Sequence, residues 1–226
     1  MPADKPAVIY LLRHGHSTAN AKSVLAGRDF SVRLSSVGEK QAKAVATEFS
    51  GRKFAKIYSS PLPRCVQTLE PLAAELKKEV QLSDGLIEME YGDWSGKKLA
   101  LLSRNKLWTT IQNRPSLVRF PNGESFLEMQ SRSLEAVTNI SIPGKSVLLC
   151  SHGDVIKAIV AGFLGLNLDN FQSLSIDPAS LTVLDLTKDG ARLRLMNDTS
   201  YLKELKFTGS GGGKLNLGGG GGAARE

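Results

Sequence analysis

The sequence has few of the residues that cross-link small proteins and none of the long apolar runs that span membranes. Two cysteines among 226 residues, Cys65 and Cys150, are too few for a disulfide framework. We expect both to be buried thiols in a reducing compartment. No apolar run approaches the ~20 residues of a membrane span, and the first such run, residues 7–12, is short for a signal peptide and leads directly into Arg13. These absences predict a cytoplasmic protein that does not insert into a membrane.

Aromatic residues are also scarce, at 6% of the chain, and basic residues do not cluster on any one predicted helix. Both features argue against a nucleic-acid-binding protein. The net charge of +7 favours anionic partners, although charge alone does not choose among nucleic acids, membrane surfaces and small phosphorylated molecules. The proportions of hydrophobic residues (41%) and charged residues (23%) are those of a globular protein, which excludes a mostly disordered chain.

The end of the chain has a different composition from the rest. The last 18 residues hold 9 of the 22 glycines. Glycine runs of this kind cannot bury apolar surface, so residues 208–226 are predicted to form a flexible tail. Residues 6–207 then form one domain, which is long enough to bury a full core.

Strand and helix patterns alternate along that domain. Short strands are predicted at residues 8–12, 56–59 and 146–150, and helices at 36–49, 63–76, 125–140 and 154–164. Two further strands, at 181–187 and 192–197, flank a Lys-Asp-Gly turn that is typical of a hairpin. This order predicts a single three-layer α/β domain, with a mostly parallel central sheet, helices on both faces and an antiparallel C-terminal hairpin.

Polar residues follow three of the predicted strands. Arg13 and His14 follow the first, Arg64 comes shortly after the second, and His152 follows the strand at 146–150. Open parallel sheets bind ligands beyond the carboxyl ends of their strands, so these side chains could converge on one site. Guanidiniums bind phosphate oxygens bidentately, and a neutral imidazole is a competent nucleophile toward phosphorus.

Phosphoryl transfer from an ester also needs a carboxyl group that protonates the leaving oxygen. Glu88 and Glu90 both lie just before the glycine turn at Gly92. Their spacing alone leaves the choice between them open.

Five motifs in one order carry a family resemblance. The segment RHGHSTAN at 13–20 resembles the RHG motif of the histidine phosphatase superfamily, in its phosphoglycerate-mutase-like branch. Later motifs of that branch are similar to SSPLPRCVQT at 59–68, LIEMEYGDWSG at 86–96, PNGES at 121–125 and SHG at 151–153. The resemblance extends over residues 8–197, and its late segments look most like actinobacterial members described as phosphomutases or phosphatases.

The resemblance implies a role for each matched residue. His14 matches the nucleophile that becomes phosphorylated, and Glu88 matches the proton donor and acceptor. The residues that match the phosphate pocket are Arg13, Arg64 and His152. The residues from which we expect substrate contacts are Gly15, Ser17, Asn20, Arg28 and Gly153. No cofactor and no metal ion are implied, because guanidinium and imidazole donors stabilise the transferring charge.

Two residues lie outside these roles. His16 replaces the glutamate, glutamine or arginine that is commoner in the resembled family. Together with His14 and His152 it could suggest a metal site, but a substrate contact or a solvated position is the preferred interpretation. Asp154 is predicted to cap the helix that follows Gly153.

Three functions fit the resemblance. A phosphatase and a phosphomutase share the phosphohistidine, and a phospho-ligand-binding protein would keep the pocket without turnover. The family's glycolytic mutases carry a longer insertion with an adjacent arginine pair, whereas only 63 residues separate Glu88 from His152 here and the chain has no Arg-Arg dipeptide. We therefore predict a metal-independent phosphomonoester hydrolase acting on a small phosphorylated substrate. A cofactor-dependent phosphomutase is the first alternative and a non-catalytic binding protein the second. The substrate and the oligomeric state are not predicted.

Overall fold

A six-stranded mixed sheet lies at the centre of the computed structural model, which describes residues 5–205. The predicted glycine-rich tail at 208–226 and the last residues of the predicted domain lie outside the described residues. The strands are β1 (Ala7–Arg13), β2 (Lys56–Ser59), β3 (Val80–Leu82), β4 (Ser146–Ser151), β5 (Leu181–Thr187) and β6 (Gly190–Asp198). They lie in the order β3-β2-β4-β1-β5-β6. β5 is antiparallel to both of its neighbours, and the remaining neighbours pair in parallel.

Seven α-helices surround this sheet within residues 5–205. They are α1 (Thr18–Ala21), α2 (Ser36–Phe49), α3 (Pro63–Leu76), α4 (Leu99–Leu102), α5 (Lys106–Asn113), α6 (Phe126–Ile140) and α7 (Gly153–Phe163). The predicted bounds of α2, α3, β2 and β5 are those of the structure. The sequence patterns missed α1, α4, α5 and β3, because elements of three to eight residues are too short to show a clear period. No helix within the described residues combines the length and hydropathy that a membrane crossing requires.

The three-layer arrangement follows from the two faces of β1. Leu11 is buried in a core that includes Met129 of α6 and Ile156 of α7. The next residue, Leu12, is buried in a second core with Leu69 of α3 and Val45 of α2. Successive strand residues point to opposite faces of a sheet, so β1 contributes to both layers of helices. This arrangement confirms the predicted fold class.

The ends of these elements bring three chain segments to one edge of the sheet. β1 and β4 run in parallel register, with Arg13 opposite Ser151 at their carboxyl ends. α7 begins at Gly153, directly after β4. α3 begins at Pro63, whose missing N–H is tolerated in the first turn of a helix. The edge beyond Arg13 therefore carries the ends of two strands and the starts of two helices.

Candidate active site

His14 lies just beyond β1 with its ring buried. Its Nδ1 is 2.7 Å from the carbonyl oxygen of Gly15. A carbonyl only accepts, so Nδ1 carries the proton in this contact and Nε2 keeps its lone pair. Burial, together with the neighbouring Arg64 and Arg13 guanidiniums, holds the pKa of His14 well below its ordinary 6.5. The ring is therefore neutral at pH 7, as a nucleophile must be.

His152 lies across the site from His14, with ring centroids 5.2 Å apart in an edge-to-face arrangement. Nη2 of Arg64 is 3.2 Å from Nδ1 of His152 and donates to it, because a guanidinium has no acceptor. Nε2 is therefore the protonated nitrogen and donates to Oγ of Ser60 at 2.8 Å. Burial and Arg64 hold the pKa of His152 well below 6.5. The 3.7 Å approach of its Nδ1 to Oε2 of Glu88 is thus a contact of a neutral imidazole and not an ion pair.

The guanidinium of Arg64 has one nitrogen bound to the protein and another that is available to a ligand. Its Nη2 donates to the carbonyl of Gly27 at 2.9 Å. Its Nη1 is buried and has no hydrogen-bond partner among residues 5–205. A buried guanidinium donor without a partner is costly unless a ligand anion meets it. Arg64 therefore presents a donor suited to a phosphate oxygen.

Glu88 carries the carboxyl group of the site. Its side chain is buried, and Oε1 accepts from the N–H of Met89 at 2.9 Å. Burial, and next the negative charge of Asp154, raise the pKa of Glu88 from its ordinary 4.5 to about 7. Near neutral pH the carboxyl group can therefore hold a proton and release it. Glu90, by contrast, is 36% exposed and lies 3.4 Å from Nη1 of Arg28, so the structure distinguishes the two glutamates that the sequence spacing could not.

A cavity joins these groups. The residues that line it are His14, Ser17, Asn20, Ser23, Val24, Leu25, Ala26, Gly27, Arg64, Glu88, Tyr91 and Leu99. Arg13 does not line this cavity, but its buried guanidinium acts on the neighbouring His14 ring, and its Nη1 donates to the carbonyl of Ile176 at 2.6 Å. The structure thus brings together the five residues predicted to carry the chemistry.

Asn20 and Ser17 line this cavity as a fixed pair. Oδ1 of Asn20 accepts from the backbone N–H of Ser17 at 2.9 Å, and the Ser17 hydroxyl donates to the same oxygen at 2.8 Å. This is a capping box at the start of α1. Because Oδ1 is engaged, the amide Nδ2 is the atom with which Asn20 can meet a substrate oxygen.

Three of the predicted substrate contacts do not line the cavity. Gly15 donates its N–H to Oγ1 of Thr68 at 2.9 Å, and a Cβ at Gly15 would lie 2.9 Å from the carbonyl oxygen of Gly38. Its small size allows α2 to approach, and its predicted contact with the substrate stays a prediction. Gly153 is the first residue of α7 and is buried there.

Arg28 is the third of these residues, and it binds protein groups. Its Nε donates to the carbonyl of Glu88 at 2.9 Å and its Nη2 to Oε1 of Glu124 at 3.0 Å. These bonds direct the guanidinium toward the Glu88 loop, and the predicted contact of Arg28 with the substrate stays a prediction.

The two residues without matched roles also have defined partners. The His16 ring is buried, and its Nδ1 is 2.8 Å from the hydroxyl of Ser35; it is neither solvated nor part of the cavity lining. Asp154 lies inside α7, one residue after the helix begins. Its Oδ2 accepts from the hydroxyl of Tyr91 at 2.7 Å. The predicted capping role of Asp154 was therefore wrong, since the N-cap residue is His152 and makes no side-chain cap.

Sequence reasoning assigned no role to several residues that support the site. Thr68 holds Gly15, Ser60 holds His152, and Tyr91 lines the cavity. All three lie within the matched motifs, so the family resemblance could have indicated them. Arg132 lies outside every motif, yet it donates to the carbonyls of Gly85, Ile87 and Glu88.

The comparison with known families agrees with this geometry. The family model described as "Histidine phosphatase superfamily (branch 1)" matches residues 9–199. The chain belongs to the histidine phosphatase superfamily. Its fold and its two histidine motifs are therefore those that the sequence predicted.

Relatives within the superfamily carry phosphatase and mutase names. Phosphoserine phosphatase 1 of Hydrogenobacter thermophilus is 30% identical over 205 residues, covering 87% of this chain and 95% of that protein. A 2,3-bisphosphoglycerate-dependent phosphoglycerate mutase of Thermoplasma acidophilum is 31% identical over 182 residues, covering 79% and 87%. Among solved structures, a mycobacterial glucosyl-3-phosphoglycerate phosphatase complexed with VO3 is 28% identical with a TM-score of 0.78, covering 85% of this chain and 100% of that one. This chain is an enzyme of the same superfamily, of the phosphomonoester hydrolase type.

Proposed function

We propose that this chain hydrolyses phosphomonoesters in two steps, with His14 as nucleophile and Glu88 as proton donor and then acceptor. The observation that carries the proposal is the convergence on one cavity of a neutral imidazole, a guanidinium with an unpartnered buried nitrogen and a protonatable carboxyl group. These are the groups that phosphoryl transfer needs when protein side chains stabilise the charge.

In the first step, Nε2 of His14 attacks phosphorus and the bond from phosphorus to the ester oxygen breaks. The proton of Glu88 goes to the leaving oxygen, so the products are an alcohol, phosphohistidine and the Glu88 carboxylate. Arg64 and Arg13 stabilise the negative charge of the transferring group, and His152 donates to it through the N–H that Ser60 accepts in this structure. In the second step Glu88 takes a proton from water, whose oxygen attacks phosphorus and releases phosphate and free His14.

The phosphomutase alternative shares the first step and differs in the acceptor of the second. A mutase must exclude water and hold a phosphorylated product for the return transfer. Among the described residues that line the cavity, Arg64 is the cation, and Arg28 is bound to Glu124 and to the Glu88 backbone. This lining favours a phosphatase, because a mutase acting on phosphoglycerates has a carboxylate to hold as well as the phosphoryl group.

The proposed substrate class is small phosphomonoesters, and relatives suggest which to assay first. Phosphoserine and glucosyl-3-phosphoglycerate are named for a relative and for a structural neighbour. The full chain is incubated with these, with 3-phosphoglycerate and with p-nitrophenyl phosphate, in the presence of a chelator, and phosphate release is measured. Isomerisation of 3-phosphoglycerate is followed in parallel with 2,3-bisphosphoglycerate added.

The matched variants are His14→Asn and His16→Gln. His14→Asn should lower phosphate release by at least ~10³-fold, since no covalent intermediate can form. His16→Gln should remain within about threefold of the wild type, because its ring binds Ser35 outside the cavity. Rapid acid quenching should trap phosphate on the wild type and not on His14→Asn. Turnover retained by His14→Asn would refute the nucleophile, and isomerisation exceeding phosphate release would establish the mutase instead.

A further inference from the structure

A buried polar cluster that the proposed chemistry does not use adjoins, through Tyr91, the cavity that Glu88 lines. Tyr91, which lines the cavity, donates its hydroxyl to Oδ2 of Asp154 at 2.7 Å. Nζ of Lys157 lies 3.4 Å from Oδ1 of Asp154 and donates to Oε1 of Gln172 at 3.0 Å. Asp154 is fully buried and Lys157 nearly so. A buried ion pair of this kind is often less stabilising than apolar residues of similar volume, so it calls for a reason beyond packing.

We infer that Asp154 is a positioning residue that keeps the Glu88 carboxyl group protonated, and that Lys157 limits how strongly it does so. The inference rests on the proposed function, in which Glu88 donates a proton. Its physical basis is that ionising Glu88 would place a second carboxylate in the same buried region as Asp154, which is unfavourable in a medium of low polarity. Lys157 contacts Asp154 and partly neutralises its charge.

Among the charged and titratable groups around Glu88, Asp154 is the acidic one whose charge raises the pKa of Glu88. The side chains that face Glu88 from the surrounding elements are Arg13 at the end of β1, His14 after it, Arg64 of α3, Tyr91 of its own loop, His152 after β4, and Asp154 and Lys157 of α7. Arg28 and Arg132 donate to the backbone carbonyl of Glu88. Arg64 and Arg13 favour the Glu88 carboxylate and act against Asp154. Burial and Asp154 together outweigh them, because the pKa of Glu88 is raised.

Tyr91 provides a way to separate charge from contact. Its hydroxyl stays protonated, since burial and Asp154 raise its pKa well above the ordinary value. Tyr91→Phe removes the hydrogen bond to Asp154 and keeps the negative charge. Asp154→Asn removes the charge and keeps an oxygen that can accept from Tyr91. A purely structural role of the pair would make both variants alter the pH profile alike.

The test is the pH dependence of kcat/KM with glycerol 3-phosphate, whose alkoxide leaving group requires the proton of Glu88. In Asp154→Asn the loss of activity on the alkaline side should begin about one pH unit lower than in the wild type. In Tyr91→Phe it should not move downward, and in Lys157→Gln it should move upward. With p-nitrophenyl phosphate, whose leaving group needs little protonation, the alkaline limbs of wild type and Asp154→Asn should coincide.

The outcomes separate this inference from the proposed function. An alkaline limb in Asp154→Asn that stays at the wild-type pH, or moves upward, overturns the inference while His14→Asn still tests the function. If Asp154→Asn fails to fold, as thermal unfolding would reveal, the direction of the shift in Lys157→Gln decides, and a downward shift or none overturns the inference. If Glu88→Gln hydrolyses glycerol 3-phosphate at the wild-type rate, Glu88 is not the proton donor and the inference fails with that assignment.

Discussion

Arg132 holds Glu88 by its backbone: Nη2 of Arg132 donates to the carbonyl oxygen of Glu88 at 3.2 Å. The same guanidinium donates to the carbonyl of Ile87 at 2.8 Å and is 2.7 Å from Oε1 of Glu124. Arg28 donates to the same Glu88 carbonyl at 2.9 Å and to the same Glu124 oxygen at 3.0 Å. The loop that presents the Glu88 carboxyl group is therefore held by two arginines that carry out no chemistry themselves.

Arg132→Met should remove one of the two arginines that hold this loop. The loss of several backbone bonds should lower the free energy of unfolding by about 1–3 kcal/mol, which urea denaturation measures. It should also lower kcat for glycerol 3-phosphate about tenfold, since misplaced catalytic groups cost that much or more. The drop should be smaller for p-nitrophenyl phosphate. Arg119→Met, which removes an ion pair with Glu128 at the exposed surface, is the control and should change neither quantity appreciably.

The pH dependence of kcat/KM should be bell-shaped with its maximum on the acid side of neutrality. His14 must be neutral, and its lowered pKa places the acid limb well below pH 6.5. Glu88 must be protonated, so activity toward alkyl phosphates should fall as pH rises through about 7. Rates corrected for the second ionisation of the substrate phosphate give the profile of the free enzyme. An activity that increases from pH 7 to pH 9 would contradict the assignment of Glu88.

The buried Glu88 carboxyl group should also make stability depend on pH. Its folded-state pKa of about 7 lies above the ordinary 4.5, so the folded protein holds this proton more tightly than the unfolded chain. That contribution is complete below pH 4.5 and is lost as pH rises through 7. Glu88→Gln cannot ionise, so its unfolding free energy relative to wild type should be higher at pH 8 than at pH 5 by about 2–3 kcal/mol. Glu90→Gln gives the background, and equal differences at the two pH values would count against the shift.

Gly38→Ala should disturb the position of His14 from a distance. A Cβ at Gly38 would lie 2.0 Å from the carbonyl oxygen of His16, so α2 or the loop that follows β1 must move. We expect a loss of about 1–3 kcal/mol in stability and a fall in kcat, because His14 lies in the same loop. Gly51→Ala is the matched control, since no atom lies within 4 Å of its added Cβ. Wild-type kcat in Gly38→Ala would show that the loop tolerates the shift.

Local patterns predicted the long elements, and the matched motifs predicted where the site lies. Neither could reveal which side chains contact one another across distant parts of the chain. His14, Arg64 and His152 follow or precede elements with clear periodicity, so their convergence could be expected from the carboxyl ends of parallel strands. Asp154 resembled a helix cap because the sequence does not show that Tyr91, more than 60 positions away, donates its hydroxyl to the Asp154 carboxylate. Arg132 has no local signal at all, since its three carbonyl partners depend on how α6 packs beside the Glu88 loop.

The central position of β1 in the sheet determines at what stage of synthesis the site can form. β1 pairs with β4 on one side and β5 on the other. Its hydrogen bonds to these neighbours can form only after residues 146–151 and 181–187 have been synthesised. Long-range strand pairing of this kind folds slowly and late. During translation His14 leaves the ribosome well before His152 and the two strands that flank β1. Phosphoryl transfer therefore begins only after residues 181–187 have been made, and an interrupted chain that ends before β4 releases no active fragment.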